Sequence, residues 1–87
     1  MKKILIIDGQ GGGMGAALVQ SFRQAGLRCT LIAVGANTTA TAAMLRAGAD
    51  AGATGENPVV VNSADADIIA GPMGILTANA LLGEITP

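Results

Sequence analysis

Five glycines fall within residues 9–15, directly after an aliphatic run and directly before an amphipathic one, and no other feature of these 87 residues narrows the fold as far. Ile4, Leu5, Ile6 and Ile7 form an uninterrupted apolar stretch ended by Asp8-Gly9, the pattern of a strand buried on both faces of a parallel sheet. Beyond the glycines, Met14, Leu18, Phe22 and Ala25 recur at three- and four-residue spacing, with Gln20, Arg23 and Gln24 on the other side. That spacing predicts an amphipathic helix stopped at Gly26. Residues 28–34 then read as a second strand through Leu31, Ile32 and Val34, closed by Gly35-Ala36-Asn37. Strand, helix and strand in this order make a βαβ unit, whose strands are parallel and whose crossover is right-handed.

The same alternation continues. Ala40, Ala43, Met44 and Ala47 share one face of a helix over 38–47, with Asn37 or Thr38 as its N-cap and Gly48 at its end. Residues 49–65 admit two readings. Val59, Val60 and Val61 have strand propensity, whereas Asn57-Pro58 resembles an N-cap followed by proline in the first helical turn. A strand at the valines would force an antiparallel hairpin with the next strand. A short strand over 51–54 and a short helix over 57–64 keep the alternation intact, and this reading is preferred. Ile68 and Ile69 mark a last strand over 67–70, and Gly71-Pro72-Met73-Gly74 leads into a helix expected over 75–82. Ile75, Leu76, Ala78, Ala80, Leu81 and Leu82 would make that helix apolar nearly all round. The expected fold is therefore α/β: one Rossmann-like parallel sheet of about four strands with flanking helices, incomplete at its C-terminal end. An all-apolar helix and an open edge at the last strand together predict a homo-oligomer.

Composition excludes several function classes. Hydrophobic residues make up 51% and charged residues 13%, enough apolar surface to offset ordering entropy. Five basic residues stand against six acidic ones, and the single aromatic is a phenylalanine. A nucleic-acid partner is not expected, because neither a basic footprint nor a stacking platform exists. Asp8, Arg23, Arg28 and Arg46 interrupt every apolar run before it could span a bilayer, so no membrane segment and a cytoplasmic location are expected. Cys29 lies in an apolar stretch of a chain without histidine, which predicts an inert core thiol. No spacing of metal ligands is present.

Glycines between a strand and a helix leave no Cβ between the backbone and a ligand, so amides at the helix start can face an anion. Gly11, Gly13 and Ala16 match the G-x-G-x-x-G/A dinucleotide pattern, while Gly9, Gly13 and Gly15 match the G-x-x-x-G-x-G spacing of short-chain dehydrogenases. The second frame begins immediately after the strand and is preferred, with Gly13 expected at positive φ. The alternative is that the glycines only permit a sharp turn and close packing. The tyrosine and lysine of that reductase chemistry are missing, since the chain has no tyrosine. The acid expected after the second strand is replaced by Gly35-Ala36-Asn37-Thr38. Asn37 could bond a hydroxyl or cap a helix. Asp8 would repel a phosphate; its favoured role is to accept amide hydrogen bonds within the turn.

Ligands of open parallel sheets lie outside the carboxyl ends of the strands. Those ends place Asp8, Gly9, Gln10, Gly11, Gly12, Gly13, Met14, Gly15, Gly35, Asn37, Thr38, Gly55, Glu56, Asn57, Gly71 and Pro72 in the candidate binding set. Glu56 is the candidate acid or base. The opposite loops, near Gly26, Gly48 and Ala64, read as simple helix ends, and Asp65 and Asp67 as solvated.

The segments IDGQGGGMG, MLRAGADAGATGEN, VVVNSADADIIAGPMGI and LLGEITP together resemble a short bacterial domain-of-unknown-function family with a Rossmann-like core. The resemblance implies no activity, substrate or catalytic residue. It implies that members continue past the ITP segment with a helix and another strand, so a truncated chain or a partner supplying the missing layer is expected. The leading functional expectation is a small nucleotide- or dinucleotide-binding domain, with NAD(P) or another nucleotide as the cofactor class. An oligomeric interaction subunit with a structural glycine turn is the second. An enzyme using Asp8 or Glu56 on a small anionic substrate is the third.

Overall fold

The computed structural model describes residues 2–55, 65–72 and 74–77. Seven elements follow one another: β1 (Lys2–Asp8), α1 (Gly13–Gln24), β2 (Cys29–Gly35), α2 (Thr38–Ala47), β3 (Ala51–Thr54), β4 (Ile68–Gly71) and β5 (Gly74–Thr77). The strands form one sheet in the order β3-β2-β1-β4-β5. The first four are parallel, with β1 at the centre in register with both β2 and β4. The chain therefore builds outward from β1 to β3, then returns to the other side of β1 for β4. That reversal creates a crevice at the carboxyl ends of β1 and β4, where open parallel sheets take their ligands.

Strand alternation divides the core. Ile4, Ile6, Leu31 and Ala33 point to one face, where they pack with Val19 of α1 and Met44 of α2. Leu5 and Val34 point to the other, with Ala66 against them. Cys29 is buried in the first of these clusters, as its apolar surroundings predict. Both helices begin and end on recognisable signals. Asn37 caps α2 by accepting the Ala40 amide at 2.8 Å, and Gly48 ends it at φ 124°. α1 has no side-chain cap at its own N-cap residue, Gly12. No helix among the described residues is long and apolar enough to cross a membrane.

The expected helix over 75–82 is corrected. Gly74, Ile75, Leu76 and Thr77 form β5, antiparallel to β4, with Gly71 paired to Gly74 across a two-residue connection. Gly74 at φ 129° turns the chain back, a conformation that glycine adopts without a Cβ clash. An apolar run without polar punctuation fits a strand as well as a helix, and the hairpin decides between them. Residues 78–82 lie outside the described residues, as do the helix expected over 57–64 and the three valines. The last parallel strand is consequently no open edge, because β5 covers it. Self-association was expected from that edge and from the all-apolar helix, and the described residues supply neither.

Asp65 is solvated as expected, its side chain 71% exposed, whereas Asp67 is half-buried; both reach back to Lys3 of β1. The Lys3 amide donates to Asp67 Oδ2 and Lys3 Nζ to Asp65 Oδ1, both at 2.8 Å. The loop near Gly48 is likewise more than a helix end. Arg23 of α1 donates to the Gly48 carbonyl at 2.9 Å, the Cys29 carbonyl at 3.2 Å and Asp50 at 2.8 Å.

Candidate functional site

Asp8 ends β1 with its side chain on the helix-bearing face, 2% exposed, and every other feature of the site is arranged around it. Its Oδ1 accepts the Gln10 amide and its Oδ2 the Gly15 amide, each at 2.8 Å. Burial pushes its carboxyl up, but the amides of Gly15, Gln10 and Gly12 outweigh that and hold it below the ordinary carboxylate range. Asp8 is thus an internal anion at the start of α1, supplying from the preceding strand the capping that Gly12 lacks. This is the amide-accepting role favoured for it in the sequence. One consequence is that the Gly15 amide is occupied. The first-turn amides of Gly13 and Met14 remain at the helix start, where an α-helix offers no internal acceptor.

The glycines separate into two kinds. Gly12 has φ 92°, and a Cβ there would meet Ala40 Cα at 2.7 Å and the Ala40 carbonyl at 2.9 Å. It lets the N-termini of α1 and α2 touch. Gly15 faces Met44, and a Cβ on it would collide with the Met44 sulfur and crowd Asp8. Gly35 is similarly pressed by Thr41, and Gly71 by the Ile7 carbonyl at 3.0 Å. Gly9, Gly11 and Gly13 are different: none lies in the left-handed region, and a Cβ would find nothing within 4 Å. The positive φ expected at Gly13 is corrected, since it belongs to Gly12; Gly13 is the first residue of α1.

These three glycines line a cavity of about 860 Å³ between the carboxyl ends of β1 and β4. One wall is the glycine loop, Asp8, Gly9, Gln10, Gly11, Gly13 and Met14. The facing wall is largely apolar: Ile7, Ile69, Ala70, Gly71, Pro72 and Gly74. A smaller hollow of about 380 Å³ lies on the other side of β1, lined by Ile7, Asp8, Gly9, Val34, Gly35, Ala36 and Gly55. None of the chain's lysines or arginines lines either space. Among the described residues no group of three metal-ligating side chains occurs.

Of the sequence candidates, Asp8, Gly9, Gln10, Gly11, Gly13, Met14, Gly71 and Pro72 meet at the larger cavity, and Gly35 and Gly55 at the smaller. Gly12 and Gly15 line neither and serve the packing beneath. Asn37 caps α2 and also donates its Nδ2 to the Gln10 carbonyl at 3.1 Å, tying the glycine loop to the second helix. Thr38, the exposed first residue of α2, borders neither cavity. Glu56 and Asn57 lie outside the described residues. Sequence reasoning missed Ile7, Ile69 and Ala70 in the larger wall and Val34 in the smaller; Gly74 and Ala36 fall on the strand ends it pointed to but stood outside the candidate set. Their position at strand ends was the available signal. Thr41 was also missed; its Oγ1 is buried within hydrogen-bond distance of the Asn37 and Ala53 carbonyls and Thr54 Oγ1, joining α2 to β3.

A model of the family described as Domain of unknown function (DUF3842) matches residues 3–87. No curated protein and no solved structure matches the chain.

Proposed function

The chain belongs to that family of domains, which lends it no activity, and from this premise we propose that it is a small nucleotide- or dinucleotide-binding domain. Its ligand sits at the carboxyl ends of β1 and β4, with an anionic group against the Gly13 and Met14 amides. One observation carries the reading. Gly9, Gly11 and Gly13 border the cavity, yet neither their own φ nor a neighbouring atom requires glycine at any of the three. Such positions are explained by close approach of a ligand to the backbone. The cavity volume of about 860 Å³ also falls within the range of small-molecule sites. Ile7, Ile69 and Pro72 would face the ring system of the ligand, and the glycine backbone its polar part.

Thermal unfolding of the protein with NAD, NADP, FAD, ATP and nucleotide sugars tests this. A ligand at about a hundred times its Kd stabilises by roughly 2.7 kcal/mol. In a domain of this size that raises Tm by on the order of 10 °C. A folded protein that responds to no member of the panel refutes the proposal.

A further inference from the structure

We infer that the two hollows are one groove crossing the end of β1 over Gly9, and that it takes a two-bodied ligand joined by a narrow linker and free of terminal phosphate. This rests on the nucleotide-binding reading and narrows it. The larger hollow, toward β4, and the smaller, toward β2, share Ile7, Asp8 and Gly9, so the saddle between them is the turn at the end of β1. A Cβ at Gly9 would stand in open space, and its φ is outside the left-handed region, so glycine there is required by neither strain nor packing. What its missing side chain leaves is passage from one hollow to the other. On the far side Gly35, Ala36 and Gly55 present only backbone and one methyl, a shallow seat for a second flat body.

The charge of the groove selects against an added phosphate. Lys2, Lys3, Arg23, Arg28 and Arg46 are all the side-chain cations of this sequence, and none reaches either hollow. Asp8 lies directly under the saddle with its carboxylate ionised and its acceptor positions taken up by amides. A dinucleotide's bridging diphosphate carries one charge on each phosphorus and can be met by the amides at the start of α1. An added phosphate monoester would bring close to two further negative charges into a groove with no cation to offset them. The chemical class is therefore a dinucleotide without an added terminal phosphate.

Titration at fixed ionic strength with NAD, FAD, NADP and adenosine, for the parent chain and for Gly9→Val, decides the matter. The better bound of NAD and FAD should exceed adenosine by about tenfold or more in affinity, and NAD should exceed NADP by a similar factor. Gly9→Val should cost the two-bodied probe about tenfold while leaving adenosine within about threefold. A parallel melting curve shows whether Gly9→Val is folded; Gly9→Ala, which adds one methyl in open space, gives the same ordering with a smaller loss. Equal affinity for adenosine and both dinucleotides, equal affinity for NAD and NADP, or no effect of either Gly9 variant overturns this inference and leaves nucleotide binding intact. Silence toward every probe overturns both.

Discussion

The two edges of the sheet are built from opposite materials. At the amino ends of the parallel strands, charged side chains reach backbone groups: Asp67 takes the Lys3 amide, Asp50 takes the Leu31 amide, and Arg23 spans the Gly48 and Cys29 carbonyls. At the carboxyl ends the only acid among the described lining residues is Asp8, turned inward onto its own loop, and the rim is glycine backbone beside an apolar wall. An edge saturated by its own side chains has little left to offer a ligand. The other edge spends one carboxylate to fix the loop and leaves a space bordered by amides. The contrast explains why chemistry is expected at one edge only, although both carry polar sequence.

The comparison breaks most visibly within the glycine loop. Gly12→Val combines a β-branched residue at φ 92° with a collision against the Ala40 backbone. Left-handed strain and overpacking together should cost about 4 kcal/mol. Gly13→Val, one position on, meets nothing and should change stability by less than about 1 kcal/mol while abolishing ligand binding. Urea unfolding of both variants checks the pair. Equal destabilisation would erase the division between packing glycines and lining glycines.

Asp8→Ala should come next in size. It leaves the Gln10 and Gly15 amides without their charged acceptor, a loss of about 3 kcal/mol. Because the folded carboxyl is held below its unfolded value, Asp8 contributes stability that is present above about pH 4 and lost as pH falls through the folded pKa. Asp50 acts in the same direction at the opposite edge, lowered by the Leu31 amide and by Arg23. Acid unfolding curves of the parent and Asp8→Asn should therefore converge as pH falls below about 4 and through the folded pKa. A constant gap across that range would mean that Asp8 is not ionised in the fold.

The smallest effect sharpens the contrast from the other side. Arg23 and Asp50 form an ion pair whose side chains are 32% and 50% exposed, so the charge attraction itself adds little. Asp50→Ala should cost about 1 kcal/mol through the lost bond to the Leu31 amide, and ligand affinity should stay unchanged. Calorimetric titration of this variant with the best probe of the panel measures that directly. A large loss of affinity would show that the two edges are coupled through β2.

The sequence by itself determined the β1-α1-β2-α2-β3 series, the caps at Asn37 and Gly48 and the inward role of Asp8. Those signals are local: hydrophobic period, a capping residue and a carboxylate two residues before an amide. Tertiary structure decided what depends on the opposing surface. Ile75, Leu76 and Thr77 became a strand because Gly71 and Gly74 fold them back onto β4. Gly12 and Gly9 look alike in the chain, but one faces Ala40 and the other faces nothing. Lys3 finds Asp65 and Asp67, and Arg23 finds Asp50, across long stretches of chain that only the parallel pairing of β1 with β4 and of β2 with β3 brings together. A glycine's role is set by what stands where its Cβ would be, and that atom's neighbours come from elsewhere in the chain.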